Sequence, residues 1–227
     1  MEDQARSGAR LVDLSHTITD GMVTYKGLPG PHICDFWTRE QSAANYDDGS
    51  TFQIGRIDMV ANTGTYVDVP SHRFADGEDL SEVAIGAFAH LPAIVVRKPF
   101  ESGLGVGTDA FDGLEVRGCA VLVATGWDRH WGEDSYYHDH SFLTVEAAER
   151  LIAGEAALVG IDSHNIDDTR VRTRPVHTAL LGAGIVICEH MTNLGALPDS
   201  GFRFTAAPPK VKGMGTFPVR AYALIEA

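Results

Sequence analysis

Short apolar runs separated by long polar segments dominate the pattern of this chain. Four such runs lie at residues 91–96, 119–124, 157–161 and 184–189. A short continuous run without alternation is typical of a strand buried on both faces of a sheet. Weaker patterns predict four further strands, at residues 10–15, 33–37, 52–61 and 219–225. Gly- and Pro-containing segments between the runs indicate loops and turns.

Helical patterns are fewer than strand patterns. The clearest covers residues 144–152, where Thr144 can cap the helix and Ala147, Leu151 and Ile152 line one face. Shorter helical segments are expected within residues 78–88 and 177–182. Because strands outnumber helices and regular βαβ alternation is not evident, the sequence predicts an α/β or α+β fold. Its core would be a central mixed sheet or a barrel-like sheet.

Length and charge narrow the class of protein. The chain has 227 residues with no linker-like segment, which predicts a single domain over residues 1–227. A formal charge of −13 argues against nucleic acid and anionic membrane surfaces as partners. The three cysteines are far apart, and no apolar signal core or membrane-spanning run is evident. The charge says little about a small-molecule substrate. We expect a cytoplasmic protein.

The stretch from Asn62 to His72 has the highest density of side chains that could take part in metal binding or proton transfer. It follows the strand predicted at residues 52–61 and contains Asp68 and His72, four positions apart. Both side chains can bind a metal ion or move a proton, and the end of a strand holds such groups rigidly yet open to solvent. The alternative interpretation is an Asx-type turn with a surface histidine.

Four residues stand out together as metal-capable: Asp68, His72, His177 and Glu189. Glu189 ends a strongly apolar strand, where burying an unpaired carboxylate is costly. Two imidazoles and two carboxylates suit one divalent ion such as Zn²⁺ or Mn²⁺. The residue pattern alone equally allows a buried ion pair of Glu189 and an unrelated turn.

Other histidines and aromatic residues have simpler interpretations. His190 follows Glu189 directly, so on a strand it would point to the opposite face. Trp127 and Trp37 are candidates for an aromatic wall against a planar substrate, with core packing as the alternative. Six histidines in polar loops are expected at the solvated surface: His32, His90, His130, His138, His140 and His164.

Motifs spread over most of the chain resemble the putative cyclase family, which includes kynurenine formamidase and isatin hydrolase. The central motif of that family is His-x-Gly-Thr-His-x-Asp-x-Pro-x-His, which here reads Asn62-Thr-Gly-Thr-Tyr-Val-Asp-Val-Pro-Ser-His72. The supporting segments follow in the expected order: Leu11-Val-Asp-Leu-Ser-His16, Thr125-Gly-Trp127, Val159-Gly-Ile-Asp162 and Glu189-His-Met-Thr-Asn-Leu194.

The resemblance implies a fold and a ligand set. The fold is the α/β "swivelling" β/β/α type, a barrel-like mixed β core flanked by a few helices. Family members with two metals use two early histidines of the motif for one ion, and those positions are Asn62 and Tyr66 here. That site is expected to be lost or weakened. The ligands of the second ion correspond to Asp68, His72, His177 and Glu189, which keep their types.

Two classes of function follow from this resemblance. In the first, one Zn or Mn ion activates water for attack on an amide, formamide, lactam or ester carbonyl. His72 or Glu189 would be the general base, Tyr66 would stabilise the oxyanion or protonate the leaving group, and Asn62 would orient the carbonyl. Four protein ligands leave little room for that water in a tetrahedral site.

In the second class no metal takes part. The same cluster would act as an acid/base cyclase, dehydratase or isomerase, or the chain would be a non-catalytic ligand-binding protein. The resemblance further implies a homodimer or homotetramer in which residues 16–50 complete a neighbour's site.

Overall fold

The computed structural model describes residues 3–4 and 8–226, with side chains for residues 8–226. Its three α-helices are α1 (Arg39–Ala43), α2 (Val145–Ala153) and α3 (Pro175–Gly182). Its strands, in chain order, are β1 (Asp3–Gln4), β2 (Arg10–Asp13), β3 (His32–Trp37), β4 (Ile54–Asp58), β5 (Tyr66–Asp68), β6 (Leu91–Arg97), β7 (Gly105–Val106), β8 (Ala120–Ala124), β9 (Phe142–Leu143), β10 (Leu158–Ile161), β11 (Val186–Glu189), β12 (Phe202–Thr205), β13 (Thr216–Pro218) and β14 (Tyr222–Ile225).

A ten-stranded mixed sheet organises the molecule, in the order β1-β2-β14-β12-β6-β8-β10-β11-β5-β13. The four central strands, β6, β8, β10 and β11, are parallel. The strands on both flanks are antiparallel to their neighbours. A β-bridge joins Ser15, which follows β2, to Met191, which follows β11. Since β2 and β11 lie near opposite ends of the strand order, this contact shows that the sheet curls. The expected mixed β core with few helices is confirmed.

Two apolar cores cover the two faces of the sheet, which explains the continuous apolar runs in the sequence. Along β8, Leu122 packs into one core, whereas Val121 and Val123 pack into the other. The core that contains Val121 also receives Leu151 of α2 and Leu180 of α3. Neither face of the central strands meets water, so no polar alternation is needed there.

Helices α2 and α3 connect parallel strands. They follow β8 and β10 and so form two successive βαβ units, β8-α2-β10 and β10-α3-β11, which the sequence pattern did not reveal. Thr144 caps α2, because its hydroxyl oxygen accepts a hydrogen bond from the Ala147 amide at 3.2 Å. The predicted helix and its cap are therefore confirmed.

A separate hairpin of β3 and β4 projects from this core. Among the described strands, β3 and β4 pair only with each other, and β4 is exposed over its whole length. Phe36 is 61% exposed and Ile57 is 47% exposed. The strand predicted over residues 52–61 therefore exists in shorter form, outside the main sheet.

Among the described residues, no helix has the length and apolar character needed to cross a membrane. Cys34, Cys119 and Cys188 are all free thiols.

Candidate active site

Strand β5 places the first group of site residues on one face of the sheet. It lies between β11 and β13, with Asp68 opposite Thr216 and Tyr66 opposite Glu189. Directly opposed residues, and residues two apart on one strand, point to the same face. These four side chains therefore share the face on which α3 packs, whereas Val67 points into the other core.

His72 is placed by a single 3-10 turn, Pro70–His72, that follows β5. Proline at the first position of this turn fixes the backbone direction. The turn lies against Gly215, where any side chain would collide with the backbone of His72. The chain after the motif is thereby held against β13, and the His72 ring reaches Thr216.

Asp167 positions His177. Its carboxylate accepts hydrogen bonds from the backbone amides of Val176 at 2.7 Å and His177 at 3.0 Å, at the start of α3. It also accepts the ring Nδ1–H of His177 at 2.6 Å. A carboxylate on Nδ1 fixes the ring so that the Nε2 atom faces the site, the usual arrangement for a metal-ligating histidine.

Glu189 is buried and held by two donors. Its Oε2 accepts the hydroxyl proton of Tyr66 at 2.7 Å, and its Oε1 accepts the Ile166 amide at 2.6 Å. The same Oε1 lies 3.5 Å from Nε2 of His177. Each oxygen keeps lone-pair capacity beyond these contacts.

Three donor atoms converge beside Glu189. Ligand atoms of Asp68, His72 and His177 all lie within 4.8 Å of one another. Oδ2 of Asp68 is buried, finds no hydrogen-bond partner among residues 8–226, and lies 3.7 Å from Nε2 of His177. A buried carboxylate oxygen without a donor is costly. A cation between these atoms would remove that cost, so the residues fit a divalent metal ion.

Thr216 sets the ring orientation of His72. Its hydroxyl donates to Oδ1 of Asp68 and also contacts Nδ1 of His72 at 2.9 Å. A hydroxyl has one proton, so Nδ1 of His72 acts as the donor in the second contact. The Nε2 atom of His72 therefore keeps a lone pair for a ligand.

The pKa shifts of the site residues indicate that the site favours a positive charge. Burial lowers the pKa of His177, but the carboxylates of Glu189, Asp167 and Asp68 outweigh burial and raise that pKa to about 10. Burial raises the pKa of Glu189, and Asp68 adds to this while His177 opposes it. Burial, with the charges of Glu189 and Asp68, also holds the pKa of Tyr66 well above its usual value, so Tyr66 is a proton donor.

An open pocket with about 560 Å³ of empty space leads to this cluster. Asn62 and Tyr66, at the variant positions of the motif, line it together with Asp68, His72, His177 and Glu189. The six residues predicted from the motif region and its partners therefore share one cavity. Trp127 and Trp37 do not line it. Trp127 is buried against Tyr136, to whose carbonyl its Nε1 donates at 3.1 Å, and Trp37 lies on the exposed β3–β4 hairpin.

A second polar cluster also reaches the Tyr66 hydroxyl, which is bonded to Glu189. His190 is fully buried, with Nε2 3.3 Å from the Tyr66 hydroxyl and Nδ1 2.9 Å from the Tyr136 hydroxyl. Its φ of 54° turns the chain after β11, so the expectation that His190 points away from the Glu189 side is wrong. His140 and His164 are each only 3% exposed. The surface location expected for those two histidines is therefore also wrong.

Burial gives this second cluster the opposite charge preference. Burial lowers the pKa of His164 to about 3, assisted by the nearby imidazole of His140. Burial likewise lowers the pKa of His16 to about 4 against the attraction of Asp128, and that of His190 well below its usual value. His16 stacks on Trp131 with ring centroids 3.9 Å apart. These imidazoles are neutral packing groups.

Sequence reasoning missed several residues of the site. Asp167 and Thr216, which orient the two histidines, were not singled out, nor were the pocket residues Arg73 and Arg174. The signal for Asp167 was its place in the polar run after β10, where a strand end delivers groups to a shared edge. Thr216 had no comparable signal, because its role depends on the pairing of β13 with β5.

Comparisons with known proteins agree with this architecture. A family model described as "Putative cyclase" matches residues 12–168. A kynurenine formamidase from Erythrobacter litoralis is 24% identical over 206 residues, which cover 91% of this chain and 89% of that protein.

Solved structures share the fold. Isatin hydrolase A from Labrenzia aggregata aligns with a TM-score of 0.82 at 22% identity, covering 96% of this chain and 94% of that one. A protein from Bacillus stearothermophilus described as a predicted metal-dependent hydrolase aligns with a TM-score of 0.76 at 24% identity, covering 97% and 100% of the two chains.

Proposed function

The chain belongs to the putative cyclase family, and on that premise we propose that it is a hydrolase of small amides that works with one divalent metal ion. Formamides, lactams and esters belong to the same carbonyl class of substrate. The observation that carries the proposal is the unpartnered buried oxygen of Asp68, which faces His177 at the floor of an open pocket. The names of the kynurenine formamidase and isatin hydrolase relatives support the amide class.

Asp68, His72 and His177 would hold the ion, either Zn²⁺ or Mn²⁺. Glu189 lies outside the group of mutually close donor atoms. Three protein ligands with one open position are typical of catalytic zinc sites, whereas four ligands are typical of structural sites. The ion supplies Lewis acidity and lowers the pKa of a bound water.

Glu189 is the general base in this proposal. Its pKa is raised by burial, which suits a carboxylate that must take a proton near neutral pH. Once the water has lost that proton, its oxygen adds to the carbonyl carbon, the C–N bond breaks, and the leaving nitrogen receives the proton. Tyr66, bonded to Glu189, is placed to donate to the oxyanion or the leaving group, and Asn62 orients the carbonyl.

Elemental analysis of untagged protein tests the metal requirement. We expect about one Zn or Mn per chain, as in mononuclear catalytic sites, and loss of that metal in His177→Ala. His138→Ala is the matched control, because His138 is exposed and lies near Asp134 at the surface. Two ions per chain would mean that Asn62 and Tyr66 still support the first site. No metal after incubation with excess ion would favour a metal-free acid/base cyclase, dehydratase or isomerase, or a ligand-binding protein.

We also propose that the protein forms a homodimer or homotetramer through the β3–β4 hairpin, in a reducing, cytoplasmic compartment. Apolar side chains on both strands are exposed, Ile33 and Phe36 on β3 and Ile54 on β4 among them. An exposed apolar surface of this kind marks an interaction site, and the three free thiols suit a reducing compartment. Sedimentation analysis of Phe36→Glu should show a smaller species than the unmodified protein. Equal sedimentation of both proteins, or a monomeric unmodified protein, would contradict the proposed interface.

A further inference from the structure

The chain turns sharply at His190, directly after β11. The φ of 54° at this residue lies in the left-handed region, which residues other than glycine adopt when their surroundings enforce it. Two hydrogen bonds hold the backbone there. The His190 amide donates to the Ser163 carbonyl at 3.3 Å, and the hydroxyl of Thr65 donates to the His190 carbonyl at 2.6 Å. Because strained backbone is concentrated at functional sites, we expect the His190 side chain to do more than pack.

Both ring nitrogens of His190 contact buried tyrosine hydroxyls. Nε2 lies 3.3 Å from the hydroxyl oxygen of Tyr66, and Nδ1 lies 2.9 Å from that of Tyr136. The imidazole is fully buried, and so are both tyrosines. A buried polar group without a partner is costly, so the three side chains satisfy one another.

The single proton of each hydroxyl fixes the direction of these contacts. Tyr66 donates its proton to Oε2 of Glu189 at 2.7 Å. The Tyr66 oxygen can then only accept from His190, so Nε2 of His190 carries a proton whatever the charge of the ring. In the neutral ring Nδ1 is an acceptor and takes the hydroxyl proton of Tyr136. The hydrogen bonds therefore run one way, from Tyr136 through His190 and Tyr66 to Glu189.

We propose that His190 is a positioning residue that directs the Tyr66 hydroxyl to Glu189. The Nε2–H group of His190 occupies a lone pair of the Tyr66 oxygen, so that the phenol proton points at the carboxylate. Without this donor the hydroxyl is free to rotate about its C–O bond. The role rests on the proposed hydrolase function, in which Tyr66 supplies a proton, but the hydrogen-bond direction is measurable without turnover.

Hydrolysis of formanilide, a neutral aryl formamide, by the metal-loaded protein tests the role. Water adds across the formyl C–N bond and releases formate and aniline. His190→Leu should lower kcat about tenfold, the effect of losing one hydrogen bond to the Tyr66 hydroxyl. The KM should stay nearly unchanged, since His190 does not line the pocket. Metal content should also stay unchanged, because His190 is outside the group of close donor atoms.

Two further variants distinguish positioning from packing. His190→Gln should restore most of kcat, because the glutamine amide can donate to Tyr66 and its carbonyl can accept from Tyr136. In Tyr66→Phe, which lacks the hydroxyl, adding His190→Leu should cause no further loss, since two residues that act through one contact are not additive.

His140→Leu is the matched control, because it removes another buried imidazole, whose Nδ1 bonds to the Ser141 carbonyl at 2.9 Å. Its kcat should be nearly unchanged. Equal losses in His190→Leu and His190→Gln, or fully additive losses in the double variant, would overturn the positioning role and leave the hydrolase proposal intact.

Nitrogen NMR of the histidine rings separates the two proposals. Long-range proton–nitrogen spectra show which ring nitrogen carries the proton, and His190→Gln identifies the His190 signals by their loss. We expect a protonated Nε2 whose signal shifts in Tyr66→Phe but not in Tyr222→Phe, at an exposed tyrosine. An unprotonated Nε2, or a signal indifferent to Tyr66→Phe, would overturn the positioning role. If formanilide is not hydrolysed, the hydrolase proposal fails for this compound, and the spectra alone decide the role of His190.

Discussion

Two groups of histidines are linked through the Tyr66 hydroxyl, one by way of Glu189 and the other through His190, and they prefer opposite charges. His177 faces Glu189, Asp68 and Asp167, and its pKa is raised to about 10 despite burial. His164 faces other imidazoles and aromatic rings, and burial lowers its pKa to about 3. Burial alone favours the neutral ring in both places. The carboxylates beside His177 therefore determine which of the two groups favours a bound cation and which disfavours one.

The comparison separates chemistry from packing among residues of a single type. A cluster of histidines is not by itself a metal site, because neutral imidazoles also pack well against tyrosine and tryptophan, as His16 does on Trp131. The distinguishing feature is a buried carboxylate oxygen for which residues 8–226 supply no donor, here Oδ2 of Asp68. The second group also holds buried unpartnered atoms, Nε2 of His16 and Nδ1 of His164, but these belong to rings that burial keeps neutral. Substitutions that remove one charged or buried group at a time should therefore shift the charge preference of one histidine group toward that of the other.

Asp68→Asn should have the largest effect. It removes a negative charge and an anionic ligand from the centre of the first group, while the amide retains similar size and hydrogen-bonding capacity for Thr216. We expect metal content to fall to background. Activity should fall by well over about a hundredfold, more than the loss of an outer-shell partner. The measurements are elemental analysis, turnover, and circular dichroism to verify the fold.

Asp134→Asn is the control, because Asp134 is an exposed carboxylate paired with Lys26. Full activity of Asp68→Asn on any verified substrate would remove this cluster from the mechanism.

Asp167→Asn should have an intermediate effect through His177. The substitution replaces the carboxylate that holds Nδ1 of His177, so the ring loses its fixed orientation and part of its basicity. Metal affinity should fall about 10–100-fold, as for other outer-shell partners. Competition with a chelator measures this directly, without relying on activity.

Asp168→Asn is the neighbouring control, because Asp168 pairs with Arg170 away from the ring of His177. Unchanged metal affinity in Asp167→Asn would show that Asp167 stabilises the start of α3 and does not affect metal binding.

The smallest effect should be a pH-dependent loss of stability from the second group. The folded pKa of His164 is depressed from 6.5 to about 3. Its contribution is therefore fully present above pH 6.5 and is lost as the pH falls toward the folded value. At pH 5 this amounts to about 2 kcal/mol relative to neutral pH.

Urea denaturation of chelator-treated protein at pH 7 and pH 5 measures this loss, and His164→Gln should reduce it. His138→Gln, at an exposed histidine, should not. A pH dependence that is identical in both variants would show that other groups dominate acid destabilisation.

The central sheet was predictable because burial on both faces leaves a direct mark in the sequence. The apolar runs of β8, β10 and β11 correspond to observed strands within a residue or two. The separation of β4 from the main sheet was not predictable, since a local pattern does not name a pairing partner. Helix α3 was seen only in part, because it begins at a proline and its first amides bond to Asp167, outside the helix.

The site was predictable where a motif or a strand end marked it. The sequence singles out Asp68, His72, His177 and Glu189, and the structure brings them to one pocket. The groups that orient them come from distant pairings and carry no local signature. The burial of His164 was missed because a polar loop sequence does not show that the loop folds back over aromatic rings.

The strand β5 that carries the motif is paired on both edges with late parts of the chain. Thr216 is 148 residues from Asp68, and Glu189 is 123 residues from Tyr66. Contacts of such high sequence separation form late and slow folding, because the intervening chain must first be ordered. A nascent chain that already contains Asp68 and His72 thus cannot assemble the metal-binding pocket until almost its whole length is available. Metal binding would therefore indicate that folding is complete, and it would not nucleate folding.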